Sequence, residues 1–190
     1  AFDIAVHDAY GVANNVPLRE VARPFLQEVA SRFKENVSLG YWDGHRVVHL
    51  DKIESPEILR IDPSLGSIAL GHCTALGKSI MAYLSLEEQE AYIRANGLKR
   101  FTDKTITTRG QLDEELARIR SQGYAVDDEE LSVGLRCVAS SAIDYTGHIC
   151  FAISVAALQV NMPDERIQDI QKELKRICQS LSAKLGAPEE

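Results

Sequence analysis

Gly71-His72-Cys73-Thr74-Ala75-Leu76-Gly77-Lys78 leads into a helix between two glycines. Backbone N–H groups at a helix start lack internal partners and carry partial positive charge, so they can hold a carboxylate or a phosphate. The plain alternative is ordinary capping. The stretch is not a nucleotide-binding loop, because G-x-x-x-x-G-K-[ST] would need glycine where His72 stands. Asp127 follows a short predicted strand and opens the acidic run Asp127, Asp128, Glu129, Glu130. Such a run is ordinarily a solvated loop face, yet a carboxylate at a strand end can also point into a cavity and accept from a ligand hydroxyl. Beyond it, Leu135–Ile143 and His148–Ala156 read as strands that carry Cys137, Ser140, Ser141, Cys150 and Ser154. Small side chains with hydroxyls or thiols leave room and offer hydrogen bonds, as a cavity wall requires. The same composition also suits a helix packed closely on a sheet.

Thiol and metal chemistry find less support. Cysteines stand at 73, 137, 150 and 178, with no CxxC pair and no short zinc-type spacing. A nucleophilic cysteine needs a base and an electropositive setting. Arg136 precedes Cys137 on a strand, where neighbouring side chains point to opposite faces, so core cysteine is the better reading. The histidines outside the helix lead-in, His7, His45, His49 and His148, fall at turns or strand ends, and no metal or cofactor is expected.

Those residues have to be positioned by a chain of 190 residues, 45% hydrophobic, enough for one sizeable core. The net charge of -7 and the pI near 5.3 oppose a grip on a phosphate backbone by this chain alone. No apolar run approaches a membrane span, and the cysteines read as reduced, buried thiols of a cytoplasmic protein.

Pro17 opens a helix whose stripe is Leu18, Val21, Ala22, Phe25, Leu26, Val29 and Phe33, with a kink or break expected at Pro24. Val37–Tyr41 and Val47–Ile53 bracket Asp43-Gly44-His45, a hairpin signal. Ile58–Ile61 and Ser67–Leu70 read as short strands. A helix is expected from Cys73 or Thr74 to about Leu84. Ser85 with Glu88 forms a capping box for the next helix, and Thr108 with Gln111 repeats the arrangement for one that Gly123 stops. Asp144-Tyr145-Thr146-Gly147 is expected to turn the two central strands into a hairpin. Pro163–Leu185 is the clearest amphipathic helix, with Ile167, Ile170, Leu174, Ile177, Cys178, Leu181 and Leu185 on one stripe. The pattern is α+β: an antiparallel sheet with helices, not a βαβ alternation.

GHCTALGKSIMAYLS, TITTRGQLDEELARIRSQGYAVDDEELSVGLRCVASSAIDYTGHICFAIS and the closing helix ending in Leu185-Gly186 resemble the effector-binding domain of the isocitrate lyase regulator (IclR) family of bacterial transcription regulators. The resemblance runs from about Leu18 to Gly186, and GYAxDDEE…GLRCVA is its specific signature. It implies a GAF-like fold, a curved antiparallel sheet with helices on both faces, that binds a small organic acid. It further implies residues 1–16 as a linker remnant, 17–186 as the regulatory domain and 187–190 as a tail. Operator DNA would be bound only through a winged helix-turn-helix domain absent from this chain. Self-assembly as a homodimer or homotetramer is implied as well, and no membrane partner.

The resemblance also implies the effector-binding residues. Thr74 and Ala75 match the helix-start pair that holds a ligand carboxylate. Asp127, Leu135 and Cys137 match the pocket residues of the signature, and Ser154 the polar residue on the following strand. Ala156 stands where some members have a second serine, and Thr74 where some have glycine. Leu59 and Ile61 are expected as apolar walls. Two rival functions remain open beside sensing: an assembly domain that binds nothing, and a thiol enzyme using Cys137 or Cys73.

Overall fold

The computed structural model describes residues 18–55, 65–143 and 148–187, and of Cys150 the backbone alone. The strand expected at Ile58–Ile61, the turn at Asp144–Gly147 and the linker expected before residue 17 lie outside the described residues. Six strands form one antiparallel sheet: β1 (Asn36–Trp42), β2 (Val47–Ile53), β3 (Ile68–Ala69), β4 (Ala125–Asp128), β5 (Leu135–Ile143) and β6 (Ile149–Leu158). Their order is β3-β2-β1-β6-β5-β4, so β1 and β6, 107 residues apart at their closest ends in sequence, pair at the centre. The β1–β2 turn follows from Asp43, whose Oδ1 accepts from the N–H groups of His45 and Arg46 at 2.9 and 2.8 Å.

Alternation along β6 divides the molecule into two cores. Phe151, Ile153, Val155 and Ala157 face one way, onto α1 (Leu18–Phe33) and α5 (Asp164–Lys184). Ala152, Ser154 and Ala156 face the other way. There the sheet meets α2 (Ala75–Met81), and beyond it α3 (Leu86–Asn96) and α4 (Arg109–Gln122). Each large side chain so buried contributes roughly 1.5–3 kcal/mol relative to exposure. Ser85 and Glu88 form the expected capping box of α3, Thr108 accepts from Gln111 N–H at the start of α4, and Gly123 ends α4 in the left-handed region at φ 78°.

One irregularity interrupts β2. Leu39 pairs with Asp51 and Gly40 with His49, so Leu50 is left without a partner as a bulge in β2. Leu50 and Ile53 pack into the α1–α5 core, and Asp51 receives Arg23 of α1 at 2.7 and 2.8 Å, while His49 faces the opposite side. Alternation breaks between Leu50 and Asp51.

Three expectations change. The helix over Pro24 is continuous. Pro24 sits on its exposed face, so the Glu20 carbonyl left without an N–H partner is turned to solvent. The helix after Thr74 ends at Met81 rather than near Leu84, its last turn tightening as Tyr83 N–H reaches Ile80 O at 3.0 Å. Strand β3 is only Ile68–Ala69. No described helix is long and apolar enough to cross a membrane.

Candidate functional site

The start of α2 is fixed from both sides. Thr74 is its N-cap: Oγ1 accepts from Gly77 N–H at 2.9 Å and donates to Leu70 O at 2.8 Å. Its one hydroxyl proton is therefore spent, and toward an anion only backbone N–H groups remain as donors. Gly77 is where α2 meets the preceding loop, since a Cβ there would lie 2.4 Å from Leu70 O and 2.7 Å from the Gly71 Cα.

Behind this turn Lys78 is wholly buried, yet fully paired. Its ammonium donates to Val126 O at 2.6 Å, to Glu115 Oε1 at 3.1 Å and to Glu130 Oε1. One cation thus ties α2 to α4, to β4 and to the loop after β4. That loop is pinned on its other side by Thr102 and Thr105, whose hydroxyls donate to Glu129 O and Glu130 O at 2.7 and 2.6 Å.

Between α2, this loop and the sheet lies a cavity of about 360 Å³. Its floor is built by register. Asp127 pairs with Cys137, Cys137 with Ala156 and Ala156 with Asn36 in one row across four strands. In the next row Ala139 pairs with Ser154 and Ser154 with Ser38. Leu76, Leu131, Leu135 and Ile68 supply apolar walls. Seven of the residues singled out by resemblance, Thr74, Ala75, Asp127, Leu135, Cys137, Ser154 and Ala156, line this one cavity. Leu59 and Ile61 lie outside the described residues.

Asp127 is the most unusual of them, being 1% exposed. Its Oδ1 accepts from the N–H of Glu130 at 2.7 Å and of Leu131 at 3.4 Å, which shapes the loop, while Oδ2 has no partner. Burial first, and the nearby Glu130 carboxylate, push its pKa up to about 7 against the pull of the Glu130 N–H and Lys78. At neutral pH it is therefore a proton donor about as often as an acceptor.

The cysteines are the opposite of activated. Burial, with Asp127 and Glu130 close by, pushes Cys73 up to about 12, and burial with Asp127 lifts Cys137 well above the usual thiol range. A nucleophilic thiolate needs a lowered pKa. Arg136 points away from Cys137, to Met162 O and Asp164. Among the described residues no three His, Cys, Asp or Glu side chains are placed to hold a metal ion.

Of the other small polar residues, Ser140 is on the far face, where its hydroxyl donates to Gly123 O and its carbonyl receives the Cys178 thiol at 3.3 Å. Close helix packing explains Ser140, and the cavity explains Ser154. Four polar lining residues were missed: Asn36, Ser38, His49 and Ser67. The first two carried a signal, since Asn36-Val37-Ser38-Leu39 alternates polar and apolar as a strand with one wet face does. His49 reads as a strand end, but the structure places it in mid-strand. Its pKa is lowered to about 4 by burial and by Lys52.

The family described as "Bacterial transcriptional regulator IclR C-terminal" matches residues 10–183. The Escherichia coli transcriptional regulator XynR is 30% identical over 96% of this chain and 73% of its own. The crystal structure of Thermotoga maritima IclR superposes with a TM-score of 0.85 at 30% identity, over 98% of this chain and 75% of that one. The inducer-binding domain of an Acinetobacter PobR double mutant, solved as a complex with 3-hydroxybenzoic acid, superposes with a TM-score of 0.78 at 26% identity. It covers 88% of this chain and 98% of that domain.

Proposed function

We propose a sensing function, proceeding from the premise that the chain belongs to the IclR family of bacterial transcription regulators, as its C-terminal domain. That family is one of transcription regulators and not of enzymes. In our reading the cavity takes a small organic acid, and its occupancy controls operator binding by a DNA-binding domain joined through α1. The observation that carries this is Asp127: a buried carboxylate with one unpartnered oxygen, lining a cavity whose walls are largely apolar. A buried polar group left unsatisfied costs about 1–3 kcal/mol, which a bound partner would recover.

The N–H groups of Thr74 and Ala75 would receive the ligand carboxylate. Asp127 and Ser154 would read hydroxyl or keto oxygens, and Leu135, Cys137 and Ala156 the carbon frame. Binding alters the protein only if it favours one arrangement over another, and the arrangement of subunits in a dimer or tetramer is the bistable element of this reading. Calorimetric titration of an acid that binds tests it. The double variant Ser154→Val, Asp127→Asn should weaken binding by at least tenfold with the fold intact. Equal dissociation constants would place the ligand elsewhere.

A second reading, assembly without a ligand, is favoured by Val133 and Val160, each 78% exposed on segments joined by the Gln159 N–H to Gly134 O bond. A chain that self-associates and responds to no acid would support it.

A further inference from the structure

We propose that His49 and Ser67 form a second polar subsite of the same cavity, one that takes a hydroxyl group of a hydroxylated monocarboxylic acid. The inference rests on the sensing reading above and names the class of its ligand. His49 and Ser67 are held side by side by the backbone, His49 N–H donating to Ser67 O at 2.9 Å and Gly66 N–H to His49 O at 2.8 Å. Both side chains line the cavity, and the Nδ1 of His49 and the Oγ of Ser67 are buried without a hydrogen-bond partner. Asn36, on the same side, is already engaged, its Oδ1 accepting from Ser55 N–H at 3.0 Å.

The pair and Asp127 come from different strands of the floor. Asp127 is on β4 and His49 on β2, with β5, β6 and β1 between them in the sheet. The floor between the two poles is small or weakly polar: Cys137, Ser154, Ala156 and Ser38. The cavity's 360 Å³ equals the liquid volume of about a dozen waters. Acids of two or three carbons leave most of it empty.

The chemistry of the pair selects what it would bind. Buried beside Lys52, His49 stays neutral, so its ring offers one donor and one acceptor, and the serine hydroxyl does the same. An alcohol matches that set, giving and receiving one hydrogen bond. A second carboxylate offers acceptors only and finds no imidazolium. An alkyl end leaves both groups unpaired, the circumstance in which a polar site rejects an analogue most strongly.

The test is titration calorimetry of this chain with matched probes: gluconate against hexanoate and adipate, and 3-hydroxybenzoate against benzoate. The hydroxylated member of at least one set should bind tenfold or more tightly than its deoxygenated partner, and adipate should bind no better than hexanoate. In Ser67→Ala the ratio should fall through weaker binding of the hydroxylated probe alone, the deoxygenated probe being unaffected. His49→Phe, which keeps the ring shape, should do the same, and Ser67→Ala keeps the test open if that variant fails to fold. Equal affinities within every set, or a ratio unchanged in Ser67→Ala, would overturn the subsite and leave the sensing reading standing. No binding by any probe, with the chain folded, would overturn both.

Discussion

Asp127 and His49 stand in the same cavity with pKa values displaced in opposite directions, and their effects on stability oppose each other. Folding raises Asp127 from 3.8 to about 7, so the native state holds a proton that the unfolded chain has lost. Its contribution is complete below about pH 4 and declines as the pH rises toward 7. Folding lowers His49 from 6.5 to about 4, so its contribution is complete above pH 6.5 and declines as the pH falls toward 4. Between these limits the two slopes offset. Asp127→Asn should remove the first alone. Thermal midpoints of that variant should exceed those of the parent at pH 8, and should fall more steeply than the parent's from pH 6.5 to pH 4.5. A parallel shift at all pH values would mean that Asp127 ionises normally. For an acid whose keto oxygen accepts from the protonated Asp127, affinity should weaken by up to about tenfold per pH unit above 7, and Asp127→Asn should abolish that dependence. The sequence disclosed Asp127 through a signature run but set it just past a strand, whereas it lies within β4 and pairs with Cys137. It did not disclose His49 or Ser67, because their placement depends on a bulge and on a two-residue strand, neither of which has a local periodicity to read.

At the scale of the element, α2 is short and owes its place to contacts rather than to intrinsic helix stability, since isolated helices of this length do not persist in water. Gly77 sets how closely it approaches the loop, and Lys78 sets where it is anchored. Gly77→Ala would drive a methyl group into Leu70 O and the Gly71 backbone. We expect it to destabilise the fold by roughly 2 kcal/mol or more, comparable with overpacking a core, where alanine in an exposed helix would stabilise. Chemical denaturation settles the sign. Elements written in local chemistry were legible: the Ser85–Glu88 capping box, the Asp43-Gly44 hairpin and the α5 stripe fold as read, while at Thr108 only half of the expected box forms, the Gln111 side chain accepting from Thr107 N–H and the Thr108 hydroxyl instead. The continuity of α1 through Pro24 was not, because it depends on which face of the helix the proline occupies, and that is decided by packing.

The whole molecule places the cavity and the α1–α5 core on opposite faces of one sheet. A bound acid at one hundred times its dissociation constant should stabilise it by about 2.7 kcal/mol, a midpoint rise of roughly 5–10 °C for a domain of this size. A thermal-shift screen of organic acids checks this, and a response confined to one chemical class would name the effector. Strand β2 is where the two faces come closest along the chain: His49 looks into the cavity, and Asp51, two residues on, is gripped by Arg23 of α1. A strand with strict alternation cannot lose an internal residue without transposing the faces of all that follow. β2 can, because its bulge already carries one residue to spare. Excising Leu50 would leave His49 toward the cavity, Asp51 toward α1 and Lys52 beside Ser38, at the cost of one apolar side chain. Length variation in this strand is therefore tolerable at that position, and chains one residue shorter there could keep both faces in register.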